Sequence, residues 1–174
     1  RKKKTVIYLI LLVIGVLLLT VLLWYQGIII PNARGANEYS IKGIDVSAYQ
    51  GQIEWDQMQE QDMRFAFIKA TEGSSHVDRH FETNWNNAKD TDLRIGAYHF
   101  FSYDSGGKAQ GEHFIRTVPA DKESLPPVID VEFYGDKAKN LPERAEVKKE
   151  LSTMVKMLEE HYGKRVIIYT TNKA

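Results

Sequence analysis

Residues 126–132 read PPVIDVE, and this stretch decides how the rest of the chain is interpreted. Two prolines precede a short apolar run that is typical of a buried β-strand, and the run ends in two carboxylates, Asp130 and Glu132. Since positions two apart in a strand share a face, both carboxylates are predicted to point the same way, whereas Val131 points to the opposite side. The sequence therefore predicts a strand that carries two acidic groups on one face.

Outward from this strand, segments with strand-like and helical patterns alternate along the chain. Strands are predicted at residues 41–46, 65–70, 95–101, 128–131 and 166–170, and helices at 53–63, 80–90, 109–118 and from Pro142 to a cap at Gly163. Strands separated by helices predict parallel βαβ units, either closed into a barrel or arranged as an open sheet. No glycine-rich phosphate loop follows any of the strands, so a nucleotide-binding sheet is disfavoured.

The composition excludes several classes of protein. The 174 residues include 23 basic and 23 acidic ones, but four of the basic residues precede residue 5, so the remainder is acidic. This balance argues against a nucleic-acid-binding protein. There is no cysteine, which excludes disulfide frameworks, thiolate metal sites and cysteine nucleophiles. The five histidines are not spaced as in zinc motifs, and we expect neither a metal nor a cofactor.

The first 40 residues predict a membrane anchor and a tether. Four basic residues at 1–4 precede 26 uncharged, mostly apolar residues at 5–30, a segment long enough to cross a bilayer. Basic residues before such a segment predict a cytoplasmic N-terminus and a folded region on the extracellular side of the cell membrane. The alternative is a cleaved signal peptide and a secreted protein, although the apolar run is longer than such a peptide requires. Residues 31–40 are polar and predict a linker to a domain at 41–174.

Acidic side chains end several of the predicted strands. Asp45 ends the first strand and Glu72 the second, while Asp130 and Glu132 end the fourth. In a parallel barrel the carboxyl ends of the strands carry the active groups, so these side chains are predicted to converge. Proximity separates the pKa values of two carboxyl groups, and such a pair supplies the acid and the charged group that glycoside hydrolysis needs. A metal site and a structural salt bridge are the alternatives.

Four segments together resemble the family 25 glycoside hydrolases, which are the Chalaropsis-type lysozymes or N-acetylmuramidases. The segments are GIDVSAYQGQIEW at 43–55, FAFIKATEG at 65–73, IGAYHFF at 95–101 and PPVIDVE at 126–132. The resemblance covers residues 41–174 and implies an α/β fold, an irregular TIM-like β/α barrel with five β/α units followed by three further strands. Because the chain ends at Ala174, soon after the fifth predicted strand, we expect the catalytic domain to be incomplete at its C-terminus.

The resemblance also implies roles for individual residues. Asp45, Asp130 and Glu132 match catalytic positions, with Glu132 as the general acid, and Glu72, Tyr98 and Tyr169 match substrate-binding positions that line the pocket. The implied reaction cleaves the β-1,4 bond between N-acetylmuramic acid and N-acetylglucosamine in peptidoglycan. In it, the N-acetyl group of the sugar is the nucleophile, and Asp130 stays charged or shares a proton and orients that group. The alternatives are a non-catalytic peptidoglycan-binding module, a chitinase-like glycosidase and a membrane-bound scaffold.

Overall fold

The computed structural model describes residues 2–25 and 38–171 of the chain. The chain divides into two compact units, Arg1–Ser40 and Ile41–Ala174. The first unit contains helix α1, Lys2–Tyr25, whose part from Lys4 to Leu22 is long and apolar enough to cross a membrane. This statement rests on the length and composition of the helix. A signal sequence near the N-terminus can have a similar length and composition. Most of the predicted linker lies outside the described residues.

Strands and helices alternate in the described part of the second unit. The strands are β1 (Lys42–Val46), β2 (Met63–Glu72), β3 (His76–Val77), β4 (Arg94–Phe100), β5 (Val128–Val131) and β6 (Ile167–Thr170). The α-helices are α2 (Trp55–Glu60), α3 (Phe81–Lys89), α4 (Gly107–Thr117) and α5 (Arg144–Tyr162), and two short 3-10 helices lie at Ala48–Gln50 and Gly135–Ala138. These elements confirm the predicted strands and helices, with ends that shift by a few residues.

The sheet is parallel and curled. Its strand order is β1-β2-β4-β5-β6, and each neighbouring pair in this order is parallel. Strand β3 pairs antiparallel with the end of β2 and was not predicted, because two residues are too few to show an alternating pattern. Side chains from β1 and from β6 line one cavity, which requires the sheet to curl into a half-barrel. The fold is therefore mixed α/β with a curled parallel sheet.

The hydrophobic core lies on the outer face of the sheet, beneath the helices. Its buried members include Ala66, Ile68 and Ile129 from the sheet, Trp85 from α3, Phe114 from α4, and Met154 and Leu158 from α5. Alternation along each strand directs the residues between these sheet positions to the opposite, concave face. Packing the helices on one face of the sheet thus leaves the other face to form the cavity.

Helix α5 ends as predicted but begins later. Gly163, with φ of 63°, caps its C-terminus and donates its N–H to the carbonyl of Glu159. A glycine suits this left-handed position because it has no Cβ. At the other end Glu143 is the N-cap, and its carboxylate accepts the N–H of Glu146. The prediction that Pro142 opens the first turn is wrong, because the capping carboxylate of Glu143 fixes the helix start one residue after itself.

Candidate active site

The concave face of the sheet encloses a cavity of 430 Å³. Five of the six side chains singled out in the sequence line it, namely Asp45, Tyr98, Asp130, Glu132 and Tyr169. Its apolar lining comes from Ile44, Phe65, Phe67, Val128 and Ile167. The polar groups therefore share a small space with hydrophobic walls, which is the usual composition of a site for a small ligand or a glycan unit.

Strand geometry explains why the two carboxylates at the end of β5 share this cavity. Asp130 lies between Ile129 and Val131, both of which are buried on the other side of the sheet. Glu132 follows β5 directly and lines the same cavity as Asp130. The prediction that Asp130 and Glu132 point the same way, with Val131 opposite, is confirmed.

Gly43 on the first strand leaves space for the ring of Phe65, which lines the cavity. A Cβ atom at Gly43 would lie 2.4 Å from the ring of Phe65, which is its register partner on β2. No side chain larger than hydrogen fits there without moving the ring. The absence of a side chain at Gly43 thus lets Phe65 lie flat against β1, two positions before Asp45.

Asp130 has the most perturbed carboxyl group of the site. Burial, together with the negative charges of Glu132 and Asp45, raises its pKa to about 6, and the positive charge of Lys69 opposes the shift. Its Oδ1 atom is buried and has no hydrogen-bond partner among the described residues. A buried oxygen without a partner in a cavity is a position where a ligand can donate a hydrogen bond. The raised pKa means that Asp130 holds a proton to a higher pH than an ordinary aspartate does.

Tyr98 faces the same carboxylates from strand β4. Burial and the charges of Asp45 and Asp130 raise the pKa of its phenol, and a hydrogen bond with the side chain of Ser47 acts in the opposite direction. The phenol is therefore neutral under all ordinary conditions and can donate its proton in a hydrogen bond.

Buried hydrogen bonds fix the loop after Asp45. The carboxylate of Asp78 accepts the backbone N–H groups of Ala48 and His80, and Asp78 itself is buried. The side chain of Gln50 accepts the N–H and the hydroxyl of Ser47. Asp78 was missed in the sequence because it follows a two-residue strand, where no pattern marks it as buried.

Glu72 is placed differently from the other predicted residues. It is not among the residues that line the cavity; its Oε2 atom lies 2.7 Å from Nζ of Lys69, with which it forms an ion pair. Lys69 was also missed, although one signal was available. It is the single charged residue in the apolar run FAFIKA at 65–70.

A metal site is not supported in the part of the chain that the structure describes. No group of three or more histidine, aspartate or glutamate side chains is arranged there to hold a metal ion. The other alternative from the sequence was a structural salt bridge. Of the four acidic residues at the strand ends, Glu72 forms one. The three carboxylates in the cavity have no basic partner at hydrogen-bond distance among the described ion pairs.

Comparison with known proteins assigns this arrangement to a family. The model of the glycosyl hydrolases family 25 matches residues 44–173. The chain belongs to glycosyl hydrolase family 25. This confirms the resemblance that the four sequence segments indicated, and every cavity-lining carboxylate lies within the matched range.

Individual relatives agree with the family assignment. A family 25 glycosyl hydrolase from Bacillus anthracis is 60% identical, with a TM-score of 0.78 over 79% of this chain and 63% of that one. The uncharacterized protein YegX of Escherichia coli K12 is 39% identical over 137 residues, 76% of this chain and 48% of its own length. Lysozyme M1 of Streptomyces globisporus is 40% identical over 101 residues, which are 56% of this chain and 34% of the lysozyme. The chain thus spans about half the length of YegX and a smaller share of the lysozyme.

Proposed function

We propose that the protein is a lysozyme-type glycosidase that cleaves the β-1,4 bond between N-acetylmuramic acid and N-acetylglucosamine in peptidoglycan. The observation that carries this proposal is the convergence of Asp45, Asp130 and Glu132 on one cavity in a family 25 chain. Two neighbouring carboxyl groups with separated pKa values are what a glycosidase needs. A relative named as a lysozyme supports the same class of substrate.

In the proposed reaction Glu132 is the general acid. It donates its proton to the glycosidic oxygen as the bond from that oxygen to the anomeric carbon breaks. The carbonyl oxygen of the substrate's own N-acetyl group attacks the anomeric carbon from the other side and forms a cyclic intermediate. Water then adds to the anomeric carbon and opens this ring, while the carboxylate of Glu132 takes the proton from that water. Glu132 ends the cycle protonated, and the configuration at the anomeric carbon is retained.

Asp130 orients the N-acetyl group in this mechanism. Its buried Oδ1 atom has no partner among the described residues and would accept the amide N–H of the sugar. That hydrogen bond favours the charged form of Asp130. Because burial raises the pKa of Asp130 to about 6, the empty pair holds a proton on Asp130 at mildly acidic pH. Substrate binding would therefore favour loss of this proton from Asp130, next to the general acid Glu132.

The spacing of the two carboxylates is compatible with this route but does not require it. Positions two apart in a strand lie roughly 6.5–7 Å apart at Cα, between the separations usual for retaining and for inverting enzymes. The proposal of a substrate nucleophile therefore rests on the single buried, unpartnered Oδ1 of Asp130 rather than on the spacing.

The proposal extends to the architecture and the location of the protein. The curled sheet would form the first part of an irregular TIM-like barrel, with the site at the carboxyl ends of its strands. Helix α1 would be an uncleaved anchor that holds the domain outside the cell membrane, where peptidoglycan is found. The apolar part from Lys4 to Leu22 and the basic residues before it support this orientation.

Product analysis tests the proposed substrate. The intact protein is incubated with purified peptidoglycan and, separately, with chitin oligomers, and new reducing ends are identified by mass spectrometry. We expect fragments that end in reducing N-acetylmuramic acid and little cleavage of chitin. Preferential cleavage of chitin would indicate a chitinase-like enzyme. Binding to peptidoglycan without any cleavage would indicate a non-catalytic binding module.

A further inference from the structure

Lys69 is a buried charge whose location the proposed reaction does not explain. It lies in the middle of β2 and is 7% exposed, whereas lysine is rarely buried unless it is paired. Burying an ammonium group is costly, so a position of this kind needs a compensating partner or a use. Its ammonium group has two neighbours on the sheet, the carboxylate of Glu72 and the ring of Phe100.

An irregularity in β2 brings Lys69 and Glu72 to the same face. Residues three apart in a regular strand point to opposite faces. Between β2 and β4, however, Lys69 pairs with Tyr98 and Thr71 pairs with His99, so that Ala70 has no register partner. The extra residue reverses the alternation, as in a β-bulge. Glu72 consequently lies on the concave side together with Lys69, and their side chains meet at 2.7 Å.

The ammonium group of Lys69 lies over the ring of a residue that is paired with Asp130. Its Nζ atom is 4.9 Å from the centroid of the Phe100 ring, and Phe100 is the register partner of Asp130 on β5. Phe100 is also the register partner of Glu72 on β2. Glu72, Phe100 and Asp130 therefore form one row across three strands, with the ammonium group over the middle of the row.

The charges around this row act in opposite directions on Asp130. The groups concerned are Asp45 from β1, Lys69 and Glu72 from β2, Tyr98 from β4, Tyr103 after β4, Glu132 after β5 and Tyr169 from β6; His99 faces the other side of β4. Lys69 is the cation in this set, and it lowers the pKa of Asp130 against the effects of Glu132 and Asp45. Since Lys69 is buried and held by Glu72, it has little surface with which to contact a substrate.

We propose that Lys69, tethered by Glu72, is a positioning residue that keeps Asp130 able to ionise and so sets the pH at which the Asp130–Glu132 pair exchanges its proton. The inference rests on the proposed function for its consequence in catalysis, but the electrostatic coupling stands without it. Lys69 acts through Asp130 and takes no part in bond making. Glu72, which the family resemblance matched to a substrate-binding position, holds Lys69 in place through this ion pair.

Two measurements on the intact protein test this inference. The first is the titration of Asp130, followed by NMR in protein labelled at the aspartate carboxyl carbon, with the signal identified by its loss in Asp130→Asn. The second is the pH–rate profile on peptidoglycan. In Lys69→Met, which keeps the chain length and removes the charge, we expect the pKa of Asp130 and the alkaline limb of kcat/KM to rise by about half a pH unit or more. Lys69→Arg keeps the charge and should restore both values toward those of the wild type.

The matched control is Lys89→Met, because Lys89 forms an ion pair of similar length with Asp121 at the surface, away from the cavity. It should leave both measurements unchanged. If Lys69→Met does not fold, Lys69→Gln decides, since it also removes the charge but keeps a polar group that can pair with Glu72, and it should move the titration of Asp130 to higher pH. An unmoved or falling titration in the folded variant, Lys69→Met or Lys69→Gln, would overturn the inference. A shifted titration in a protein without activity would retain the coupling and refute the proposed function instead.

Discussion

Asp45, on the first strand of the sheet, and Glu132, directly after the fifth, line the same cavity. Two strands, β2 and β4, separate β1 from β5 in the sheet order, so a flat sheet would hold these side chains far apart. The curl of the sheet brings them together. The concave face thereby concentrates three carboxylates, and their mutual repulsion contributes to the raised pKa of Asp130.

The first prediction concerns the pH dependence of catalysis. In Asp130→Asn the rate should fall, and the alkaline limb of the pH–rate profile should move to lower pH. The reason is that the pair then loses the repulsion between two negative charges, which keeps one proton bound to the pair at higher pH. Asp45→Asn should lower the rate with a smaller shift, because Asp45 lies on a different strand. Rates measured against pH on a peptidoglycan fragment check both, and an alkaline limb that stays in place in Asp130→Asn would show that the carboxylates are not coupled.

Asp130→Asn should also increase the stability of the folded state. The pKa of Asp130 is raised to about 6, so the folded state disfavours the charged carboxylate. The protonated carboxyl group of Asp130 therefore contributes stability that is lost as the pH rises from about 4 to about 6. An asparagine at this position has no charge at any of these pH values, so the variant keeps its stability over this range. The Tm of Asp130→Asn should exceed that of the wild type above pH 6, by about 2–4 °C for each kcal/mol. Asp136→Asn, at an exposed position, is the control, and an equal or lower Tm for Asp130→Asn at pH 7 would contradict the argument.

Acidification should destabilise the protein through His99. This residue is fully buried, and its Nδ1 and Nε2 atoms lie within hydrogen-bond distance of Thr71 and Gln110. The amide nitrogen of Gln110 donates to two backbone carbonyls, so its Oε1 atom accepts from Nε2–H of His99, and Nδ1 accepts from the hydroxyl of Thr71. In this neutral tautomer both ring nitrogens have a hydrogen-bond partner, and a second proton would place a charge at a fully buried position. Burial accordingly lowers the pKa of His99 to about 4.

The lowered pKa of His99 makes the folded state less stable as the pH falls. The unfolded chain binds a proton at His99 near pH 6.5, while the folded one does not, so stability is lost as the pH falls from 6.5 to 4. His99→Asn should reduce the free energy of unfolding at pH 7, and this deficit should shrink at pH 4.5 because Asn cannot be protonated. Urea unfolding of both proteins at the two pH values measures the difference. A deficit that is constant or grows on acidification would contradict the assignment.

Topology gives a further prediction. Protease added to intact cells should digest the folded domain and leave a short N-terminal fragment with helix α1, because the basic residues before the helix favour the cytoplasmic side. Cells opened with detergent are the control for protease access. Protection of the domain until the membrane is broken would reverse the orientation. A mature N-terminus near Ala36 would identify the apolar segment as a cleaved signal peptide.

The sequence contained enough information for five of the six described strands and for most of the residues that line the cavity. Apolar runs ending in acidic residues predicted β1, β2 and β5, and alternation predicted that Asp130 and Glu132 share one face of β5. These features are local, and each depends on a few consecutive residues. The family assignment then followed from four such segments in order.

Features that depend on the register between strands could not be predicted in this way. The irregularity at Ala70 reverses the side on which Glu72 lies, and no residue in the apolar run marks it. The pairing of Lys69 with Glu72 depends on that register. The start of α5 was misplaced for a different reason, since both Pro142 and Glu143 are favourable near a helix start and a single hydrogen bond decides between them.

The most direct test of the central claim is the activity of Glu132→Gln. The substitution preserves the shape of the side chain but removes its ability to donate and accept a proton. Glu160→Gln, on the exposed side of α5, is the matched control. Release of reducing ends from peptidoglycan should fall by about 10²–10⁴-fold in Glu132→Gln, with circular dichroism and Tm unchanged, and should not fall in Glu160→Gln. Turnover of folded Glu132→Gln close to that of the wild type would contradict the account.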